Sequence, residues 1–167
     1  GCGSGAIALA LAAEEPDVGI YASDISPAAL ELARRNARLC RLEDRVEFRF
    51  GDCFQPWNDY TGAFDLIISN PPYLTRRELE SAPDEVRRYE PPIALDGGED
   101  GLTVIKRIVR KSSRYLKPAG VILLEIGWRQ ASAVRGLIEK TDFLECSAVI
   151  RDYRGLDRIV TAVKNDG

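Results

Sequence analysis

A chain of 167 residues is long enough for one domain with one substantial core, and 45% hydrophobic and 29% charged residues give it the balance of a soluble globular protein. Its net charge of -3 argues against affinity gained by neutralising many phosphates, while leaving room for a local basic patch. The chain has no histidine, which excludes Ser-His-Asp and Cys-His catalysis and every His-ligated metal site, so no catalytic metal is expected.

In chain order, "GCGSG" precedes an apolar run, "AIALALAA". That run is far short of the roughly 18 residues of a membrane span, and it lacks the basic flank of a signal peptide. "VGIYASD" (18–24) reads as a buried strand. "SPAALELARRNARLC" (26–40) reads as a helix, with Ser26 as its cap, Pro27 in its first turn and Leu30, Ala33, Ala37 and Cys40 along one face. "RVEFRF" (45–50) alternates as a strand, and "FDLIIS" (64–69) is a continuous run expected to be buried on both faces. A loop over 71–98 leads to an amphipathic helix (100–116) carrying Leu102, Ile105, Ile108 and Val109 on one face. A strand (119–127), a helix (129–141) and two strands (143–150 and 158–164) complete the chain.

The connection between the last two strands is too short for a right-handed crossover, so they form an antiparallel hairpin. Parallel βα units ending in such a hairpin make an α/β three-layer sheet. Its ligands are expected beyond the carboxyl ends of the strands. Cys2, Cys40, Cys53 and Cys146 show no C-x-x-C pairing and are expected to be reduced, buried thiols of a cytoplasmic protein.

Glycine at positions 1, 3 and 5 before a helix lets a ligand approach the backbone and meet free N–H groups. Gly1, Cys2, Gly3, Ser4 and Gly5 therefore form a candidate cofactor loop. It lacks the Lys-Ser/Thr of a P-loop and meets the dinucleotide pattern only in a relaxed form. Asp24 ends the next strand, 19 residues after Gly5, where a carboxylate can accept from both hydroxyls of a ribose. "GDCF" follows the strand after that. Asp52 is expected near an adenine amino group, with Cys53 and Phe54 along the face of the base. Together these residues describe a site shaped for a nucleoside.

The constellation resembles the class I S-adenosylmethionine methyltransferases, whose Rossmann-like sheet also ends in an antiparallel hairpin. The resemblance implies S-adenosylmethionine as cofactor.

"IISNPPYLT" (67–75) then acquires a purpose. A sulfonium methyl is already activated, so what remains is to hold a nucleophile in line with it, which contributes on the order of 7–11 kcal/mol. A planar NH2 group has its lone pair delocalised, and two acceptors on its two N–H bonds would favour the pyramidal geometry of attack. Asn70 offers a side-chain carbonyl, and Pro71 a backbone carbonyl held by the restrictions of Pro71 and Pro72. Tyr73 offers an aromatic wall. No strong base is needed, in keeping with the lack of histidine. Adenine N6 in nucleic acid and the side-chain amide of a protein glutamine both qualify.

"GSGAIALALA" and "SNPPY", joined by "YEPPIALDGGEDGL" (89–102), "LLEIGWRQ" (123–130) and "DYRGLDRIV" (152–160), closely resemble the HemK/PrmC family along essentially the whole chain. That family methylates N5 of the glutamine in the Gly-Gly-Gln motif of peptide chain release factors. The resemblance implies that Gly1 to Gly5 and Asp24 hold the cofactor. Asn70 then touches cofactor and substrate, and Asn70 to Tyr73 cradle the glutamine amide. Cys53 departs from the family, which often has a large aromatic there; Phe54 is expected to take over part of that contact.

The family also carries a first strand ahead of Gly1 and a helical N-terminal recognition domain, so the chain is read as a catalytic domain (1–167) of a longer protein. A release factor is the expected partner, a monomer the default state, and neither a membrane nor sequence-specific nucleic acid is expected. The loop from Thr75 to Tyr89, with Arg76, Arg77, Arg87 and Arg88, could grip that partner or its RNA, or could be a solvated connection. Glu90 and Asp96 are expected at the pocket rim. The competing readings are a ribosomal-protein glutamine methyltransferase, an adenine-N6 methyltransferase, an NAD(P)-binding module and a non-enzymatic scaffold. The acidic balance weighs against the second, and the third leaves Asn-Pro-Pro-Tyr unexplained.

Overall fold

The computed structural model describes residues 1–83, 85 and 90–165. Arg87, Arg88 and Tyr89, named above as part of a partner loop, lie outside the described residues. The chain divides into two compact units, Gly1–Asn58 and Asp59–Gly167.

The first unit contains α1 (Ala6–Glu14), β1 (Ile20–Asp24), α2 (Pro27–Cys40), β2 (Val46–Phe50) and a single 3-10 turn (Gln55–Trp57). Strands β1 and β2 are parallel and in step from Ile20 opposite Val46 to Asp24 opposite Phe50, so they end level. Helix α2 forms as its sequence dictates. Ser26 Oγ accepts from the Ala29 N–H at 3.2 Å, Pro27 supplies a preset φ, and Leu30, Ala33 and Ala37 turn inward. Ala8, Leu9, Ala12, Ala22, Ala37 and Val46 form a core of mostly small side chains, with Cys2, Ile20, Leu42 and Phe48 packed against it.

The second unit contains β3 (Phe64–Ser69), α3 (Arg76–Glu80), α4 (Pro92–Leu95), α5 (Thr103–Tyr115), β4 (Leu116–Glu125), α6 (Ala131–Ile138), β5 (Leu144–Arg151) and β6 (Asp157–Lys164). Its sheet has the order β3-β4-β6-β5, parallel between β3 and β4 and antiparallel elsewhere. The expected hairpin is present, and β6 lies between β4 and β5. Ile105, Val109, Ile122, Leu124, Val134 and Val160 are almost fully buried. Asp152 shapes the hairpin turn, accepting from the N–H groups of Arg154 (2.9 Å) and Leu156 (3.1 Å) and pairing with Arg158 at 3.1 Å.

Several expectations are corrected. Strand β3 is not buried on both faces: Asp65 and Leu66 are exposed. It lies at the end of the strand order, while α5 covers β4 and α6 covers β5 and β6. None of the cysteines is buried. Cys40 is exposed, because it follows Ala37, the last inward position of α2; Cys2, Cys53 and Cys146 are half-buried. Among its described residues, the loop over 71–98 contains two short helices. A Thr-x-x-Glu capping box starts α3: Glu78 N–H donates to Thr75 Oγ1 at 3.2 Å, and Thr75 N–H donates to Glu78 Oε2 at 2.9 Å. Strand β4 begins at Leu116 rather than 119 and tolerates Pro118 through a register shift against β3 between Phe64 and Leu66.

Candidate active site

In the first unit, the glycine loop is tied directly to Asp24. Asp24 Oδ2 accepts from the Gly3 N–H and Oδ1 from the Ser26 N–H, both at 2.8 Å. One carboxylate thus orders the loop before α1 and the cap of α2, and is only 6% exposed. Gly5 caps α1 in the left-handed region (φ 81), with Ala33 so close that an added Cβ would meet its Cβ at 3.2 Å. Asn36 Nδ2 donates to the Ser4 carbonyl at 2.9 Å. Burial pushes the Cys2 thiol up from its usual range, so Cys2 is a neutral packing group and not a thiolate.

The tip of β2 joins the same network. Gly51 N–H donates to the Asp24 carbonyl at 3.0 Å, and Ser23 Oγ donates to the Cys53 carbonyl at 2.9 Å. Asp52 and Cys53 are half-buried there, with Cys53 Sγ 3.1 Å from Asp52 Oδ1. Phe54, expected beside Cys53 along the face of the base, is 8% exposed.

These residues fit a nucleoside methyl donor. A Cβ built on Gly1 or on Gly3 would meet nothing within 4 Å, so there is open space beside the loop. Each oxygen of Asp24 accepts one backbone N–H and retains a lone pair for a hydroxyl.

In the second unit, Asn70 follows the last residue of β3 and is exposed, Pro71 is buried, and Pro72 and Tyr73 are half-buried. Among the described residues, neither the Asn70 carboxamide nor the Pro71 carbonyl has a hydrogen-bond partner. Two adjacent acceptors are therefore uncommitted.

Tyr73 and Leu74, by contrast, are fastened. Gln130 Nε2 donates to the Tyr73 carbonyl at 2.9 Å, and Tyr73 Oη donates to Glu125 Oε1 at 3.3 Å. Leu74 N–H donates to the Leu95 carbonyl (3.0 Å), and Gly97 N–H to the Leu74 carbonyl (2.8 Å). Burial pushes the Tyr73 phenol up from its usual range, and the Glu125 carboxylate adds to the effect while Arg158 opposes it. Gly101 sits at φ 72, and an added Cβ would lie 2.4 Å from the Tyr73 carbonyl oxygen, so only glycine passes there.

Asp96 lines a cleft of about 320 Å³ with Pro72, Ile93 and Arg107, and accepts from the Gly98 N–H at 2.8 Å. Glu90 is exposed, as are Arg76 and Arg77 at the start of α3.

The comparisons agree with this chemistry. The family model of the methyltransferase small domain matches residues 1–85, just over half of the 167. The chain belongs to that family. It is 41% identical to a release factor glutamine methyltransferase of Synechocystis sp., over 97% of this chain and 54% of that protein. A protein of the same name from Geobacter sulfurreducens is 44% identical, over 96% of this chain and 55% of its own length. The chain thus spans little more than half the length of these curated relatives. Among solved structures, the fold matches a ribosomal protein L11 methylase from Lactobacillus delbrueckii subsp. bulgaricus, with a TM-score of 0.71 at 16% identity over 99% of this chain and 68% of that one. A methyltransferase from Pyrococcus furiosus matches with a TM-score of 0.69 at 17% identity, over 99% and 73%. The Rossmann-like α/β fold of the methyltransferases is therefore established, and S-adenosylmethionine is the methyl donor of this family.

Sequence reasoning named Asn70 to Tyr73 but missed what braces them. "LLEIGWRQ" contributes Glu125 and Gln130, "LDGGEDGL" contributes Gly97 and Gly101, and both motifs were noticed only as family signatures. A polar Glu and Gln flanking a glycine at the end of an apolar strand was the available signal.

Proposed function

We propose that the protein transfers the methyl group of S-adenosylmethionine to the side-chain amide nitrogen (N5) of the glutamine in the Gly-Gly-Gln motif of peptide chain release factors. The observation that carries this reading is the pair of adjacent, uncommitted acceptors at Asn70 and Pro71, on a segment anchored from Tyr73 onward. The names of the relatives, at 41% and 44% identity, support glutamine as the acceptor.

In this reading Gly1, Cys2, Gly3, Ser4 and Gly5 present the backbone to the cofactor, Asp24 accepts from its ribose hydroxyls, and Asp52 and Cys53 border its base. Bound S-adenosylmethionine supplies a methyl group already activated by the charge on sulfur. Asn70 Oδ1 and the Pro71 carbonyl accept the two N–H bonds of the glutamine amide and turn its lone pair out of conjugation. Pro72 stiffens the segment, and Tyr73 walls the flat amide. Once the nitrogen bears the methyl group and a positive charge, its excess proton leaves to water without a dedicated base.

The same reading makes the partner a release factor, the protein a cytoplasmic monomer, and the chain a catalytic domain preceded by a further strand and a helical recognition domain. The unmatched length of the relatives leaves room for both. Incubation with labelled S-adenosylmethionine, a release factor and an adenine-containing oligonucleotide tests it. Label on the Gly-Gly-Gln glutamine is expected, and label on the nucleic acid alone overturns the proposal.

A further inference from the structure

Gln130 occupies the N-cap of α6, where a side-chain oxygen ordinarily accepts an N–H of the first helical turn. It does not do so here. Its Oε1 accepts from the Gly127 N–H at 2.9 Å, and its Nε2 donates to the Tyr73 carbonyl (2.9 Å) and toward the Gly101 carbonyl (3.3 Å). A helix start is left without its side-chain cap while one carboxamide ties three backbone segments together. A local preference given up in this way marks a position whose contribution lies elsewhere.

Between the end of β3 at Ser69 and the fastened Tyr73 there are only Asn70, Pro71 and Pro72. Proline fixes φ at two of these three positions, so the direction of the Asn70 and Pro71 acceptors follows from where Tyr73 is held. Tyr73 is held at its carbonyl by Gln130 and at its phenol by Glu125. The Leu74 backbone bonds to Leu95 and Gly97 do not involve Gln130, so the unit should fold, with this segment loosened, when that side chain is removed.

We infer that Gln130 is a positioning residue for methyl transfer, acting through the Tyr73 carbonyl to aim the Asn70 and Pro71 acceptors at the acceptor nitrogen. This deepens the proposed function and rests on it.

The test compares the wild-type protein with Gln130→Glu and Gln130→Ala. Glu retains the acceptor for Gly127 N–H but sets a carboxylate oxygen against two carbonyl oxygens; Ala removes all three bonds. Rates are normalised to S-adenosylmethionine sites titrated by calorimetry, which corrects for misfolded protein. Both variants are expected to lower kcat by about 10- to 100-fold, the scale of a misplacement near 1 Å, with cofactor affinity within about twofold of wild type. Hydrogen exchange, which needs no substrate, is expected to quicken at the Leu74 and Gly97 amides in Gln130→Ala and not at Ile122 or Val160. A kcat within twofold of wild type, or unchanged exchange at Leu74 and Gly97, overturns the inference. If the wild-type protein methylates the oligonucleotide and not the release factor, the release factor reading fails while kcat on the oligonucleotide and the exchange rates still decide the role of Gln130.

Discussion

The glycine loop with Asp24 and the Asn-Pro-Pro-Tyr segment are both built to present backbone and amide groups, but they are stabilised in opposite ways. In the first, the candidate ligand-binding side chain is itself the brace: Asp24 holds Gly3 and Ser26 while keeping lone pairs for a ligand. In the second, the candidate reacting groups have no hydrogen-bond partner among the described residues, and the bracing is delegated to Gln130, Glu125 and Gly101 at a distance in sequence. Substitutions should therefore entangle folding and binding in the first region and separate them in the second.

Asn70→Ala should produce the largest effect and the cleanest separation. A preorganised polar contact of this kind is worth roughly 2.7–4 kcal/mol, or about 100- to 1,000-fold in kcat. Thermal stability and S-adenosylmethionine affinity should change little, because the side chain has no partner among the described residues to lose. A variant retaining kcat within threefold would remove Asn70 from the chemistry.

Asp24→Ala should show the entanglement. It removes bonds to an ionised group worth about 1.5–3 kcal/mol each and leaves the Gly3 and Ser26 N–H groups without their acceptor. Cofactor affinity measured by calorimetry should fall by at least about tenfold, and the melting temperature should fall with it. Loss of affinity with no loss of stability would show that the loop is ordered by something other than Asp24.

Ser26→Ala is the mildest probe. It deletes the cap of α2 at a typical cost of about 1 kcal/mol but leaves the Ser26 N–H on Asp24. Stability should drop slightly in a denaturant titration and cofactor affinity should hold. A parallel loss of affinity would mean that the cap itself shapes the loop.

Much of this was legible in the sequence because it follows from local rules. Ser26 and Pro27 announce a helix start, and Leu30, Ala33 and Ala37 fall on one face at helical spacing. The closing hairpin follows from the shortness of the link between its strands. Asn70 to Tyr73 stood out because two prolines and an amide at a strand tip have few structural uses. What escaped was long-range. The Tyr73 carbonyl meets Gln130 fifty-seven positions later, and no periodicity encodes such a contact. The Thr-x-x-Glu start of α3 was local and readable, but the prolines around it made the whole stretch look like a loop.

The position of β6 has a consequence for how the molecule is made. Because that strand lies between β4 and β5, the two earlier strands have no neighbour in common until Lys164 has been synthesised. During translation β4 presents an unsatisfied edge for some forty residues, from Glu125 to Lys164, a period in which nascent chains are open to mispairing. The backbone of Glu125, whose side chain accepts from Tyr73, meets its strand partner Ile159 only once β6 has been made.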